Sequence, residues 1–231
     1  MNVPTLPLIS VLMPVHNGAQ YLGEAIESVY AQGYRPIELV VIDDGSTDSS
    51  AEIAKRFPVR YCFQERQGPG AARNRGFSES RGAFLAFLDA DDLWVPEKLV
   101  QQMRALEADS GLDMVFGHVE QFRSPELTNT GIDPPAEPAV PGRIPGAMLI
   151  RRHAFERVGG FGTAWGVGEF IDWYARAVEL GLTSLMLPQA VLRRRLHRQN
   201  LGIRERHRRG DYVRILKESL DRRRRDPGKP A

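Results

Sequence analysis

Short, nearly unbroken apolar runs alternate with amphipathic stretches through the first half of the chain, and each run breaks off into polar, turn-prone residues. Leu8 to Met13, Ile37 to Asp43 and Ala83 to Asp89 read as strands buried on both faces, the mark of a mostly parallel sheet. Between them the apolar positions switch to helical spacing. Leu22, Ala25, Ile26 and Val29 form one such stripe, Ala51, Ala54 and Phe57 a second, and Leu99, Met103 and Leu106 a third that follows Pro96 in a first helical turn. The rhythm predicts an α/β domain with crossover helices. At 231 residues it is long enough to bury a core without disulfides. The one cysteine, Cys62, sits in the strand-like run of Val59, Tyr61 and Phe63, reads as a structural thiol and excludes a zinc site of cysteines.

The pattern changes near residue 112. Asp113 to Phe122 reads as one long strand, and Ser124 to Pro145, with four prolines from Pro134 to Pro141, as a mobile loop. Beyond it the sequence predicts a strand from Ala147 to Ile150, a short helix closed by Gly159 and Gly160, and a helix from Glu169 to Leu180. Leu185 to Leu187 and Val191 to Leu196 read as two closing strands, Arg204 to Leu220 as a helix packed on the body, and the final RRRRDPGKPA as disordered.

Charge divides the chain unevenly. Residues 1–192 hold 16 Lys/Arg against 24 Asp/Glu, a net of −8, whereas residues 193–231 hold 15 against 5, a net of +10. Such a tail is either a solvated helix face or a surface that docks on anionic lipid headgroups, a polyanionic substrate or a protein partner. No basic module interleaved with aromatics accompanies it, so nucleic acid is not expected. Neither a leader-like N-terminus nor about 18 unbroken apolar residues occur, and the expected location is cytoplasmic, at most peripheral to the inner membrane face.

Ligands of open α/β sheets bind beyond the carboxyl ends of the strands. Here those ends carry Pro14, Val15, His16 and Asn17; then Asp43 to Asp48; then Asp89, Ala90, Asp91 and Asp92. The DGSTD segment also suits a turn and helix cap made by Ser46 or Thr47. Three carboxylates within four residues repel one another unless a cation neutralises them, and hard oxygen ligands suit Mg²⁺ or Mn²⁺ completed by substrate phosphates. The glycine loops of P-loop kinases and dinucleotide-binding oxidoreductases are absent.

Four segments, SVLMPVHNG, VIDDGSTD, GPGAARNRG and FLDADDLWVPEKL, occur in an order and spacing that resemble the inverting family-2 glycosyltransferases, and VGGF with a Glu-containing helix extends the likeness to about residue 200. The resemblance implies a GT-A fold, a Rossmann-like, mostly parallel central sheet with flanking helices. On this reading residues 1–112 form a nucleotide-sugar-binding half, 113–200 an acceptor-binding half of the same domain, and 201–231 a basic C-terminal helical extension. It also implies a hexosyltransferase-like enzyme whose donor is a nucleotide-diphosphate sugar, most often UDP-linked. The acceptor is open among glycan, lipid-linked, peptide and small-molecule hydroxyls. Pro14 and Val15 would form the floor under the nucleobase, Asp44 would read it, and Arg73 would line the nucleotide pocket. Asp89-Ala90-Asp91-Asp92 matches the DxD-type motif, whose acidic residues would hold the ribose and a divalent ion, Mn²⁺ or Mg²⁺, with Asp91 first as metal ligand and Asp92 and Asp89 next, and His197 would approach the diphosphate or the metal. One departure stands out. Register with Arg176 puts Phe170 where the family carries its catalytic Asp. Either a neighbouring carboxylate, Glu169 or else Asp172, has taken over as base, or the chain binds sugar nucleotide without turning it over.

Overall fold

A computed structural model describes residues 6–128, 138–200, 208 and 210–225. Strands β1 (Ile9–Val15), β2 (Ile37–Asp44), β3 (Arg60–Gln64) and β4 (Phe84–Phe87) pair in parallel in the order β3-β2-β1-β4. Helices α1 (Leu22–Tyr30), α2 (Ser50–Ala54) and α3 (Pro69–Glu79) connect them. The order reverses between β1 and β4, which opens a crevice at their carboxyl ends.

The sheet continues without a break into the second half. The order runs on through β8 (Leu149–Arg151), β6 (Met114–Arg123), β9 (Ser184–Leu196) and β5 (Leu93–Trp94), and β7 (Val140–Gly142) pairs with β6. Helices α4 (Lys98–Ala108), α5 (Pro125–Thr128), α6 (Arg152–Val158), α7 (Glu169–Glu179) and α8 (Gly210–Arg225) are the remaining α-helices among the described residues.

Strand alternation sorts the apolar side chains into two cores. From β1, Ile9, Val11, Met13 and Val15 enter the core shared with α1 and α4, while Leu12 enters the other beside Val40, Ile42 and Phe87. That second core is aromatic. Phe155 and Phe170 each stack on Trp173, with ring centroids 5.4 and 5.9 Å apart.

Several expectations need correction. The stretch from Ser124 to Pro145 is not simply loop: Ser124 is buried, its hydroxyl 2.6 Å from that of Tyr21, and it leads into α5. Residues 140–142 add an edge strand, where Pro141 is tolerated; Pro134 and Pro135 lie outside the described residues. The two closing strands are one, β9. Its pairing with β6 slips between Met186 and Ala190, so Pro188 falls in a bulge instead of ending the strand. The Ser46 or Thr47 cap is not formed: Ser49 is the N-cap residue of α2, without a side-chain bond. Asp48 instead accepts the backbone N–H groups of Ala19 and Ser50, both at 3.0 Å. Arg222 to Arg225, expected to be disordered, are the last turn of α8. Glu179 on α7 holds them there, accepting from Arg222 Nε at 2.8 Å and from the Ser219 hydroxyl at 2.7 Å. Residues 201–207, within the predicted last helix, and 226–231 lie outside the described residues.

Lys98 is fully buried at the start of α4. Its Nζ donates to Gln102 Oε1 at 2.7 Å and lies 4.4 Å from the Trp94 ring centroid, and it makes no ion pair among the described residues. Burial therefore drives its pKa well below the usual lysine value. The folded state then holds fewer protons than the unfolded one between that lowered pKa and the lysine value of 10.5, so stability rises with pH across this window. Lys98→Met is expected to remove up to ~1.4 kcal/mol per pH unit from that slope between about pH 8 and 10. Urea titrations at a series of pH values measure it; an unchanged slope would mean that Lys98 is charged in the folded protein.

Candidate active site

The loops after β1 and β2 are stitched together before any ligand arrives. Asn17 adopts φ +52°, which Asn tolerates better than most residues, and its Oδ1 accepts the Thr47 N–H at 2.8 Å. His16 Nδ1 lies 2.9 Å from the Asp44 carbonyl, and Arg66 contacts its other ring nitrogen. Asp43 faces inward, accepting the Ser46 N–H at 2.7 Å and the Tyr61 hydroxyl at 2.7 Å. Asp44 is buried and aimed at the turn before α3. Its Oδ1 accepts from Gln64 Nε2 and the Gln67 N–H, and its Oδ2 from the Gly68 N–H, each at 2.8 Å. Among the described residues Oδ2 keeps a lone pair without a donor. Gly68 caps α3 at φ +93°, a left-handed conformation open to glycine, and Pro69 begins the helix.

One turn along α3, Arg73 spans the crevice. It is 3% exposed, and its two terminal nitrogens each donate at 2.6 Å, one to Asp89 Oδ1 and the other to Glu169 Oε1. Burial by itself would lower the guanidinium pKa, but the two carboxylates outweigh it and raise it. The approach depends on Gly70, where an added Cβ would lie 3.0 Å from the Gly162 carbonyl oxygen and 3.4 Å from Glu169 Cγ. Glu169 Oε2 accepts no hydrogen bond among the described residues.

The turn from Asp89 to Asp92 is held from β9. Asp92 Oδ1 accepts the Arg195 N–H at 2.8 Å, Arg195 Nε donates to the Asp91 carbonyl at 3.0 Å, and its terminal nitrogen reaches Glu24 at 2.6 Å. Burial, then the negative charges of Asp91 and Asp89, push the Asp92 carboxyl well above the usual carboxylate range. His197 Nε2 is 2.8 Å from Asp91 Oδ2. The Gln199 N–H donates to Nδ1 at 3.2 Å, which leaves the ring proton of the neutral tautomer on Nε2, donated to Asp91. Asp91 Oδ1 accepts nothing among the described residues.

These groups border one cavity of about 850 Å³. Pro14, Val15, Asp44, Arg73, Asp89, Asp91, Asp92, Glu169 and His197 all line it. Asp172 does not: it turns to Arg176 Nε at 3.0 Å and to Arg222 at 3.4 Å, on the side of α7 that α8 covers. Phe170 lines the cavity too, but as the outer edge of the aromatic core. Arg194 and Tyr212 are among the lining residues that the sequence did not reveal. Arg194 was hidden in an arginine run, and Tyr212 sat in a helix that gave no sign of reaching the cavity.

Among the described residues no three His, Cys, Asp or Glu side chains are arranged to hold a metal ion, so Asp91, Asp92 and His197 do not form a ready three-residue cage. The chemistry of the rim still suits a hard divalent cation bound through few protein ligands. Asp91 Oδ1, which accepts nothing among the described residues, offers a carboxylate oxygen to the cavity, with the side chains of Asp89 and Asp92 beside it.

Known proteins agree with this architecture. The model for "Glycosyl transferase family 2" matches residues 10–159. An uncharacterized glycosyltransferase of Rickettsia typhi is 38% identical over 111 residues, which are 47% of this chain and 35% of that protein. The chain thus spans about a third of that relative's length. Among solved structures, the mannosyltransferase PcManGT of Pyrobaculum calidifontis, in complex with GDP-Man and Mn²⁺, superposes with a TM-score of 0.70 at 22% identity, covering 98% of this chain and 67% of that one. S. aureus TarS 1-349 in complex with UDP gives 0.65 at 20% identity, covering 93% and 71%. The fold is the GT-A type expected from the sequence. With the family model matched over well over half of its length, on strands and turns that build the cavity rim, the chain belongs to glycosyl transferase family 2.

Proposed function

We propose that the chain transfers a sugar, with inversion, from a nucleotide-diphosphate donor, UDP-linked on our reading, to an acceptor hydroxyl, assisted by a divalent ion. One observation carries this: a carboxylate with a free oxygen, Glu169, shares a cavity with the Asp89 to Asp92 rim, and Arg73 fixes the two relative to each other. The base of the donor lies over Pro14 and Val15, and the unused lone pair of Asp44 Oδ2 accepts an N–H from it. Asp89 faces the ribose. Asp91 would hold the ion, His197 orients Asp91, and Asp92 secures the turn to β9. When bound, Mn²⁺ or Mg²⁺ supplies positive charge where the departing diphosphate accumulates negative charge. Solved structures of the same fold bind UDP in one case and GDP-Man with Mn²⁺ in another, which supports a donor of this class.

Glu169 Oε2 takes the proton from the acceptor hydroxyl as that oxygen bonds to the anomeric carbon, and the bond from that carbon to the diphosphate breaks on the opposite face. Oε1 stays on Arg73, so the carboxylate presents one defined oxygen. Glu169 is the choice over Asp172 because only Glu169 borders the cavity. A second reading, a protein that binds sugar nucleotide without turnover, draws on Phe170, whose ring is committed to the aromatic core where the family has its base.

Nucleotide affinity is expected to be tighter with Mn²⁺ than with chelator, and Asp91→Asn to abolish the difference while the protein stays folded. Calorimetric titration with UDP measures it, and equal affinities in the unmodified protein would remove the ion from the assignment.

Glu169→Gln is expected to lower turnover by a factor on the order of 10² to 10⁴ with donor affinity retained. Asp172→Asn should keep turnover and lower the melting temperature by loosening α8. Transfer lost in the Asp172 variant but kept in the Glu169 variant would reassign the base. The absence of transfer to any acceptor by the unmodified protein would favour the binding reading.

A further inference from the structure

Helix α8 buries one face against the fold and carries an apolar stripe on another. Ile215 is fully buried, and Asp211 and Ser219 beside it are nearly so, where the helix lies against α7 and the loop before it. There Asp211 accepts the Gly166 N–H at 3.0 Å. On the far side Val213 is 68%, Leu216 59% and Leu220 53% exposed. At roughly 100° per residue these three fall within an arc of about 60°, so they form a continuous stripe that the domain leaves open to solvent.

The charges around the stripe are sorted. Lys217 and Arg224 border one edge and Arg223 the other, each within about 40° of it, whereas Glu218 and Asp221 lie about 80° or more away. Lys217 makes no ion pair among the described residues. Among the described residues Arg223 and Arg224 have only long ion-pair contacts, 3.8 Å to Glu179 and 4.0 Å to Asp221, and remain about half and four-fifths exposed. An apolar stripe edged by long cationic side chains is the arrangement that inserts at a bilayer surface, with the arginine and lysine heads reaching the phosphates. A second copy of the helix suits it poorly. Pairing would face cations with cations, and three side chains fall far short of the roughly 800 Å² that each partner contributes to a stable interface.

We infer that α8 docks the protein on an anionic membrane surface through Val213, Leu216 and Leu220, with Lys217, Arg223 and Arg224 binding lipid phosphates. Because Tyr212, the neighbour of Val213, lines the cavity, docking brings the α7 side of the cavity close to the headgroups. The inference does not depend on the proposed chemistry.

The test is sedimentation of the 231-residue chain with vesicles of phosphatidylcholine alone and of phosphatidylcholine and phosphatidylglycerol in equal parts, without nucleotide. Binding is expected only to the anionic vesicles. It should fall at least tenfold when Val213, Leu216 and Leu220 are all changed to Ser, and again in Lys217→Glu with Arg224→Glu. Both variants should melt as the unmodified protein does, since every changed side chain faces solvent. Failure to bind anionic vesicles overturns the inference, as does binding that the triple Ser variant retains in full, which would assign it to the arginines alone. Light scattering that shows a dimer lost in the triple Ser variant would give the stripe to a second copy instead.

Discussion

A guanidinium buried to 3% exposure is tolerable only where carboxylates meet it, and Arg73 meets two that come from opposite walls of the crevice. Asp89 follows β4 in the first half of the sheet; Glu169 opens α7 in the second. One side chain therefore ties the rim to the opposite wall of a crevice already framed by a continuous sheet, and the surrounding sequence is arranged to allow it. Gly70 lets α3 approach the Gly162 carbonyl, and Phe161 lies beneath the guanidinium at 5.8 Å. Removing either carboxylate would leave a buried cation half-compensated, so both ion pairs matter for structure.

Much of the fold was legible because the parallel strands are buried on both faces and must be apolar throughout. The runs at Leu8 to Met13, Ile37 to Asp43 and Ala83 to Asp89 allowed little else, and their polar ends pointed to the rim. What escaped was decided by contacts distant in sequence. Leu93 and Trp94 form a strand only because β9 lies beside them. Pro188, a breaker by local rules, is absorbed by a bulge that β6 accommodates. The arginines at the end of α8 read as a disordered run, yet Glu179, more than forty residues earlier, holds two of them in a helix. The cavity shows the same division. Carboxylates grouped at strand ends were visible, whereas the separation of Glu169 from Asp172 needed the direction in which α7 faces.

Phe170 illustrates how a local departure is absorbed. Its ring stacks on Trp173 and Tyr174 and meets Phe116 edge-on, so the position contributes packing, not charge. A carboxylate there would be placed against a wall of aromatic rings. Glu169, one residue earlier, instead meets a cation that neutralises it, and this pairing explains how an acidic group is kept at the start of α7 while its neighbour is apolar.

The path of β9 has a consequence for how such a chain can be divided. The segment that carries the family signature ends at residue 159, yet the turn bearing Asp91 and Asp92 is fastened by a strand that begins at Ser184 and is inserted between β6 and the short β5. Halves woven in this way cannot be exchanged as cassettes. A chimera joined after residue 159 would bring a foreign backbone N–H to Asp92 and a foreign neighbour to Asp91. The portion most easily recognised in related proteins is thus smaller than the portion that must be inherited together.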